Sequence, residues 1–171
     1  MKKKKIISII TMMLLMCITL FTLTACGSKS SFAYNVDTGD RIVVTLKSKD
    51  LTLKTANGIF YVVDKETKKD TEEKSDDDYY LSGYFLLATD DAWKTTIEDI
   101  YHYADSNSIS IFDVEDYPQL HATAIYYFVY DGKSEIVLRI VESDTAVELI
   151  AENGEELFTI IKQMELECKL D

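Results

Sequence analysis

Hydrophobic and polar residues alternate with a period of two through most of the chain's last fifty residues, as they do in strands with one buried face. Asp131-Gly132 interrupts two such runs, and this dipeptide closes two-residue hairpins in the primed geometry. Counting outward from it pairs Val129 with Ser134, Tyr127 with Ile136, Ile125 with Leu138 and Thr123 with Ile140. A second tight turn at Ser143-Asp144 sets Ile140 against Val147, Leu138 against Leu149 and Ile136 against Ala151. The result is a three-stranded meander with one continuous apolar face. On its other face the same register puts Arg139 opposite Glu148, an ion pair worth ~0.2–1 kcal/mol. A slip of one residue would scatter both sets.

The pattern upstream is shorter but similar. Residues 41–47 and 51–54 read as strands joined by a turn at 48–50, and Asn57-Gly58 marks a turn before a strand over 59–63. Strand character returns at 79–88 and again at 108–114, before a loop around "EDYPQ". Two stretches change period. Trp93, Ile97, Ile100, Tyr101 and Ala104 recur on one helical face behind an N-cap at Thr89 and Asp90. Leu157, Ile160, Ile161 and Met164 form a second helical stripe after Asn153-Gly154, and a strand over 165–170 closes the chain. On that strand Cys168 alternates with Leu166 and Leu170, the pattern of a thiol on an apolar face. These elements predict one α+β domain over 41–171, a mainly antiparallel sheet with two main helices.

The N-terminus has no such periodicity. Lys2 to Lys5 precede an uncharged run over 6–21, and then comes Leu23-Thr24-Ala25-Cys26. A basic segment, an apolar segment and small residues at a cleavage point make an export signal. Leu23-Thr24-Ala25-Cys26 resembles the lipobox of bacterial lipoproteins. That resemblance implies a signal peptide over 1–25, cut before Cys26, whose thiol carries a diacylglycerol. Two acyl chains anchor stably where one holds only marginally. Residues 26–40 are small and polar and read as a lipidated tether; thirteen flexible residues reach roughly 20 Å. The protein is therefore expected on the outer face of a cell membrane, held by lipid.

Charge sharpens this picture. Removing Lys2 to Lys5 from the eighteen basic residues leaves fourteen against thirty acidic ones, a net charge of −16. Such a surface repels nucleic acid and anionic headgroups. Acidic residues concentrate in 64–78, "DKETKKDTEEKSDDD", which lacks the spacing of a calcium loop and reads as a solvated segment.

The segments "VELIAENGEELFTIIKQMEL" and "NGIFYVV" resemble the closing strand–helix–strand and the opening strand of the Mog1/PsbP-like group. The similarity would cover about residues 50–171. It implies an α/β/α sandwich without a shared catalytic centre, in a group whose members act mainly as binding or assembly factors.

No hydrolase elbow, zinc-protease helix, P-loop or dinucleotide glycine motif is present in the sequence. His102 and His121 could join Asp113, Glu115 or Asp116 around zinc, but no ligand spacing links them. Neither a cofactor nor a metal is expected. The candidate ligand surface is aromatic: Tyr126, Phe128 and Tyr130 project from the face opposite the core stripe, beside Val137 and Ile150. Exposed, they would be a platform for a sugar ring or an apolar partner. Covered by the Trp93 helix they would be a second core layer, which is the expected arrangement because large aromatics are mostly buried. The end of the ladder, near Tyr130 and Lys133, would then protrude.

The expected function is a non-catalytic binding or assembly module tethered in the cell envelope, with an envelope protein as partner. Two alternatives stand beside it. One is a sensor of small ligands or cations using the aromatic face or Asp76 to Asp78. The other is an envelope hydrolase in which His102 or His121 meets a carboxylate.

Overall fold

The computed structural model describes residues 28–36, 41–65 and 79–169. Cys26, the signal over 1–25 and most of the acidic segment 64–78 lie outside the described residues. Strands β1 (Lys29–Asn35), β2 (Arg41–Lys47) and β10 (Met164–Lys169) form a small sheet in the order β1-β2-β10. A seven-stranded sheet has the order β3-β4-β5-β9-β8-β7-β6. Its members are β3 (Leu51–Ala56), β4 (Ile59–Asp64), β5 (Leu81–Leu87), β6 (Ser110–Phe112), β7 (Ala122–Tyr130), β8 (Lys133–Ile140) and β9 (Thr145–Ala151). Every pairing in both sheets is antiparallel. Helix α1 (Asp90–Tyr103) lies against one face of the large sheet; the small sheet and helix α2 (Gly154–Ile161) lie against the other. The fold is α+β.

The first hairpin forms as its turn dictates. Asp131 and Gly132 both adopt positive φ, 48° and 77°, as a type I′ turn requires. Val129 faces Ser134, Tyr127 faces Ile136 and Ile125 faces Leu138. The register then shifts between Ala122 and Ala124, so Ala122, not Thr123, faces Ile140.

The second hairpin corrects the expected register by two residues. Residues 141–144 all belong to the turn, with Glu142 in the left-handed region, and Leu138 faces Val147 while Ile136 faces Leu149. A two-residue shift leaves every side chain on its own face, so hydrophobic alternation cannot detect it. The cross-strand partners change. Arg139 faces Ala146, and Glu148 faces Val137. The expected Arg139–Glu148 pair does not form; the Arg139 guanidinium instead binds Asp90 at the start of α1, 2.8 Å away.

A second correction concerns the segment read as tether over 26–40. Lys29–Asn35 pairs along its whole length with β2 as an edge strand. Its serines and lysine hide the pattern, but Phe32 and Tyr34 decide the packing. Tyr34 stacks on Phe85 with centroids 4.2 Å apart, and Phe32 sits 6.3 Å from Phe60 and 6.1 Å from Phe85. This aromatic group links the two sheets. Gly83 makes room for it: a Cβ at that position would lie 2.0 Å from the Phe60 ring, which is fully buried. The segments 41–47 and 51–54, joined at 48–50, also differ from a simple pair, because β2 and β3 belong to different sheets.

Ile42, Val44, Leu46, Leu138, Val147, Leu149, Leu157, Ile161 and Leu166 make a single core between the sheets, closed at its end by α2. Asn153 caps α2, its side chain accepting from the Glu156 N–H at 2.9 Å. Cys168 faces Ile42 and packs half-buried at the core's edge. The strand expected over 108–114 shrinks to Ser110–Phe112. Asp113 accepts from the Glu115 N–H and starts a 3-10 turn, and Pro118 opens a second.

Candidate functional site

Alternation places Tyr126, Phe128 and Tyr130 of β7, Glu135 and Val137 of β8, and Ala146, Glu148 and Ile150 of β9 on the sheet face that carries α1. The helix supplies Trp93, Ile97, Ile100 and Ala104 at its own period. Phe128 and Val137 are buried beneath it, and Trp93 meets Tyr126 edge-on at 6.0 Å. The aromatic ladder is thus covered, as its composition requires, up to Tyr130, which remains 46% exposed. Tyr101, placed by periodicity on the inner stripe, faces outward instead. It follows Ile100 directly, and only Ile100 fits beneath the helix axis.

The helix does not seal this face. Beyond Ile100 a cleft of about 380 Å³ opens between α1 and the sheet, bordered by Leu86, Thr96, Asp99, Tyr103, Tyr130, Glu135 and Glu148. Tyr103 and Tyr130 meet edge-to-face at 6.4 Å. On the floor, Glu135 faces Phe128 across one strand pair, and Glu148 faces Val137 across another, which makes the two acids diagonal neighbours. Glu135 is 7% exposed.

Two carboxyls in contact, shielded from water, cannot both ionise cheaply. Burial, then the neighbouring Glu148 carboxylate, pushes the Glu135 carboxyl up to about 7. Burial also raises Glu148, while the hydrogen bond it accepts from Glu135 opposes that rise. Below about pH 7 the pair therefore holds a proton, carried on Glu135 and donated to Glu148. The cations that β8 places on this face are engaged elsewhere. Arg139 binds Asp90, and the Lys133 ammonium lies 3.2 Å from Glu152, although it still exerts a pull on Glu135.

The other residues singled out from the sequence do not converge. His102 sits in the last turn of α1 with its ring 4.7 Å from Tyr103. His121 lies beyond the second 3-10 turn with φ 44°, near Glu165 on the small sheet. Asp113, Glu115 and Asp116 belong to the first 3-10 turn. Among the described residues no three His, Cys, Asp or Glu side chains are grouped to hold a metal ion. A second groove of about 370 Å³, lined by Lys29, Thr45, His121, Glu165 and Glu167, is mainly polar, with its acids paired to Lys47 and Lys169.

Glu135 and Glu148 were missed as a site because the expected register spent Glu148 on Arg139. A signal was nonetheless present. The two acids share a face with Phe128, Val137 and Ile150, and charges on a face read as a second core layer call for an explanation.

No known protein family, characterised protein or solved structure matches this chain.

Proposed function

We propose that this protein is a lipid-anchored, extracytoplasmic binding module without catalytic activity, and that the cleft beside α1 is its ligand site. One observation carries the ligand site: an open cavity whose floor holds two adjoining carboxyls, Glu135 buried and Glu148 partly buried, and whose mouth is two tyrosines. Binding sites are typically concave and largely apolar, with a few convergent polar groups. The membrane anchor rests on Leu23-Thr24-Ala25-Cys26 and its resemblance to a lipobox. A domain of the Mog1/PsbP-like type, a group of binding and assembly factors, would suit such a role.

Thermal melts of the processed chain against a panel of amines, cell-wall sugars, calcium and zinc test the ligand site. A ligand that binds only the native state must raise the midpoint. A rise that disappears on filling the cleft with Thr96→Trp supports it; a midpoint that no compound moves counts against it. Cys26→Ser tests the anchor: the variant should take up no lipid label and keep its signal uncut, whereas cleavage at the same bond would count against it.

One observation favours a second reading, an envelope hydrolase. A carboxyl pair sharing a proton can activate water in acid–base catalysis. Turnover of peptide or glycoside substrates that is lost in Glu148→Gln would establish it.

A further inference from the structure

We propose that the α1 cleft recognises an organic cation: an ammonium group on a small apolar or aromatic body. The inference rests on the cleft being a ligand site and names what that site takes. Three features of the cavity agree.

The first is charge. Glu135 and Glu148 lie on the floor, and Asp99 stands on the helix wall. No lysine or arginine borders the cleft among the described residues. The two basic residues that β8 places on this face, Arg139 and Lys133, are drawn outward to Asp90 and Glu152. A site built for an anion would have kept them inward. A buried carboxylate with no counter-charge is costly unless something supplies one, and a cationic ligand would.

The second is the aromatic mouth. Tyr103 and Tyr130 are both large and exposed, 63% and 46%, and they stand edge-to-face at the entrance. Tyrosine faces attract cations within about 6 Å of the ring. The third is the remainder of the wall, Leu86, Ile100, Phe128 and Val137, which is apolar. A bare metal ion would want a shell of oxygen or nitrogen ligands, and among the described residues these acids are not grouped to hold one. An ammonium with a hydrocarbon body matches all sides.

Protons follow from the same geometry. The ammonium sits against the pair, Glu135 releases the shared proton to solvent, and the second carboxylate balances the ligand's charge. The Glu135 O–H is the one covalent bond broken, its proton passing to water or a buffer base; every other change is a hydrogen bond or a charge contact.

The test is isothermal titration of the full processed chain in a zwitterionic detergent, with phenethylamine and its neutral isostere 2-phenylethanol. At pH 6 the amine should bind at least tenfold more tightly than the alcohol. Repeating the titration in buffers of different ionisation enthalpy should show proton release that disappears at pH 9. The double variant Glu135→Gln with Glu148→Gln should abolish the preference for the amine. Tyr103→Ala, a change at an exposed position that leaves the fold intact, should weaken amine binding about threefold and leave the alcohol unaffected. Equal binding of amine and alcohol would overturn the cation assignment while leaving the cleft a ligand site. Binding of neither probe would overturn the assignment too, and the ligand panel would then decide whether the cleft is a site at all. An amine preference that survives in the double variant would also overturn it, because the carboxyl pair would not be its source.

Discussion

On one face of the seven-stranded sheet, Ile136, Leu138, Val147 and Leu149 are sealed beneath a second sheet and a helix. On the other face, one residue along in the same strands, Glu135, Val137 and Glu148 lie under a single helix that leaves a cleft beside it. The two faces share one backbone and one hydrogen-bond ladder, so they differ only in what alternates and what covers it. The sealed face is apolar at its centre, with only Ser134 and Thr145 as buried polar groups toward its edges, and holds the fold together. The helix face carries its apolar contacts at one end and uncompensated acids at the other, which gives up some stability for a cavity with chemistry in it. Such division within one sheet is a general route to a site on a rigid platform.

If the sealed face carries the stability, damage there should cost most. Leu138→Ala leaves a hole in a core that is closed on every side, and should lower unfolding free energy by about 2–5 kcal/mol. Urea denaturation measures it. A cost below that of Val137→Ala, its neighbour on the helix face, would reverse the ranking of the two faces.

Gly83→Ala tests the link between the sheets. The new methyl would lie 2.0 Å from the Phe60 ring, and overpacking of this kind costs about 1–3 kcal/mol. Gly83→Ala combined with Phe60→Leu should recover part of the loss, so the two changes should be non-additive in the same urea experiment. Strict additivity would mean that the ring moves aside freely.

The helix face makes a prediction of a different kind, because its contribution depends on pH. The Glu135 carboxyl is raised from 4.5 to about 7, so the folded protein keeps a proton that the unfolded chain has released. Its contribution is therefore fully favourable below about 4.5, diminishes as pH rises, and levels off above about 7. The loss across this window is on the order of 2 kcal/mol. Glu165 on the small sheet is shifted the other way by Lys47, so the informative quantity is wild type minus Glu135→Gln. That difference should slope through pH 4.5–7, with the variant the more stable protein at pH 8. A flat difference would mean that water reaches the pair freely.

The contrast between the faces also sets how much could be read beforehand. The apolar stripe, the Asp131-Gly132 hairpin, both helices and the coverage of Phe128 follow from local periodicity and turn chemistry. The small sheet does not, because β1 is an edge strand whose burial rests on Phe32 and Tyr34 touching rings fifty residues away in sequence. The carboxyl pair depends on the β8–β9 register, and there the pattern is degenerate. Shifts by two preserve hydrophobic faces, so the partner of Glu148 was decided by the turn over 141–144 and not by alternation. Fold class tolerates that ambiguity; a site built from two side chains does not.

The smallest expected effect settles that register most directly. Arg139 reaches Asp90, whose side chain is 94% exposed, and ion pairs open to solvent contribute about 0.2–1 kcal/mol. Arg139→Ala should therefore lower stability only within that range, and mainly at low salt, where the attraction is least screened. Its value lies in what it leaves unchanged. Were Arg139 opposite Glu148, removing the guanidinium would strip the acid of its counter-charge and push both carboxyls of the pair upward. With Arg139 opposite Ala146 and drawn toward α1, the titration of Glu135 and Glu148, followed by the carboxyl carbon shifts in NMR, should match the wild type. A displaced titration in Arg139→Ala would place the charge back over the cleft and make the two faces far less distinct than the structure has them.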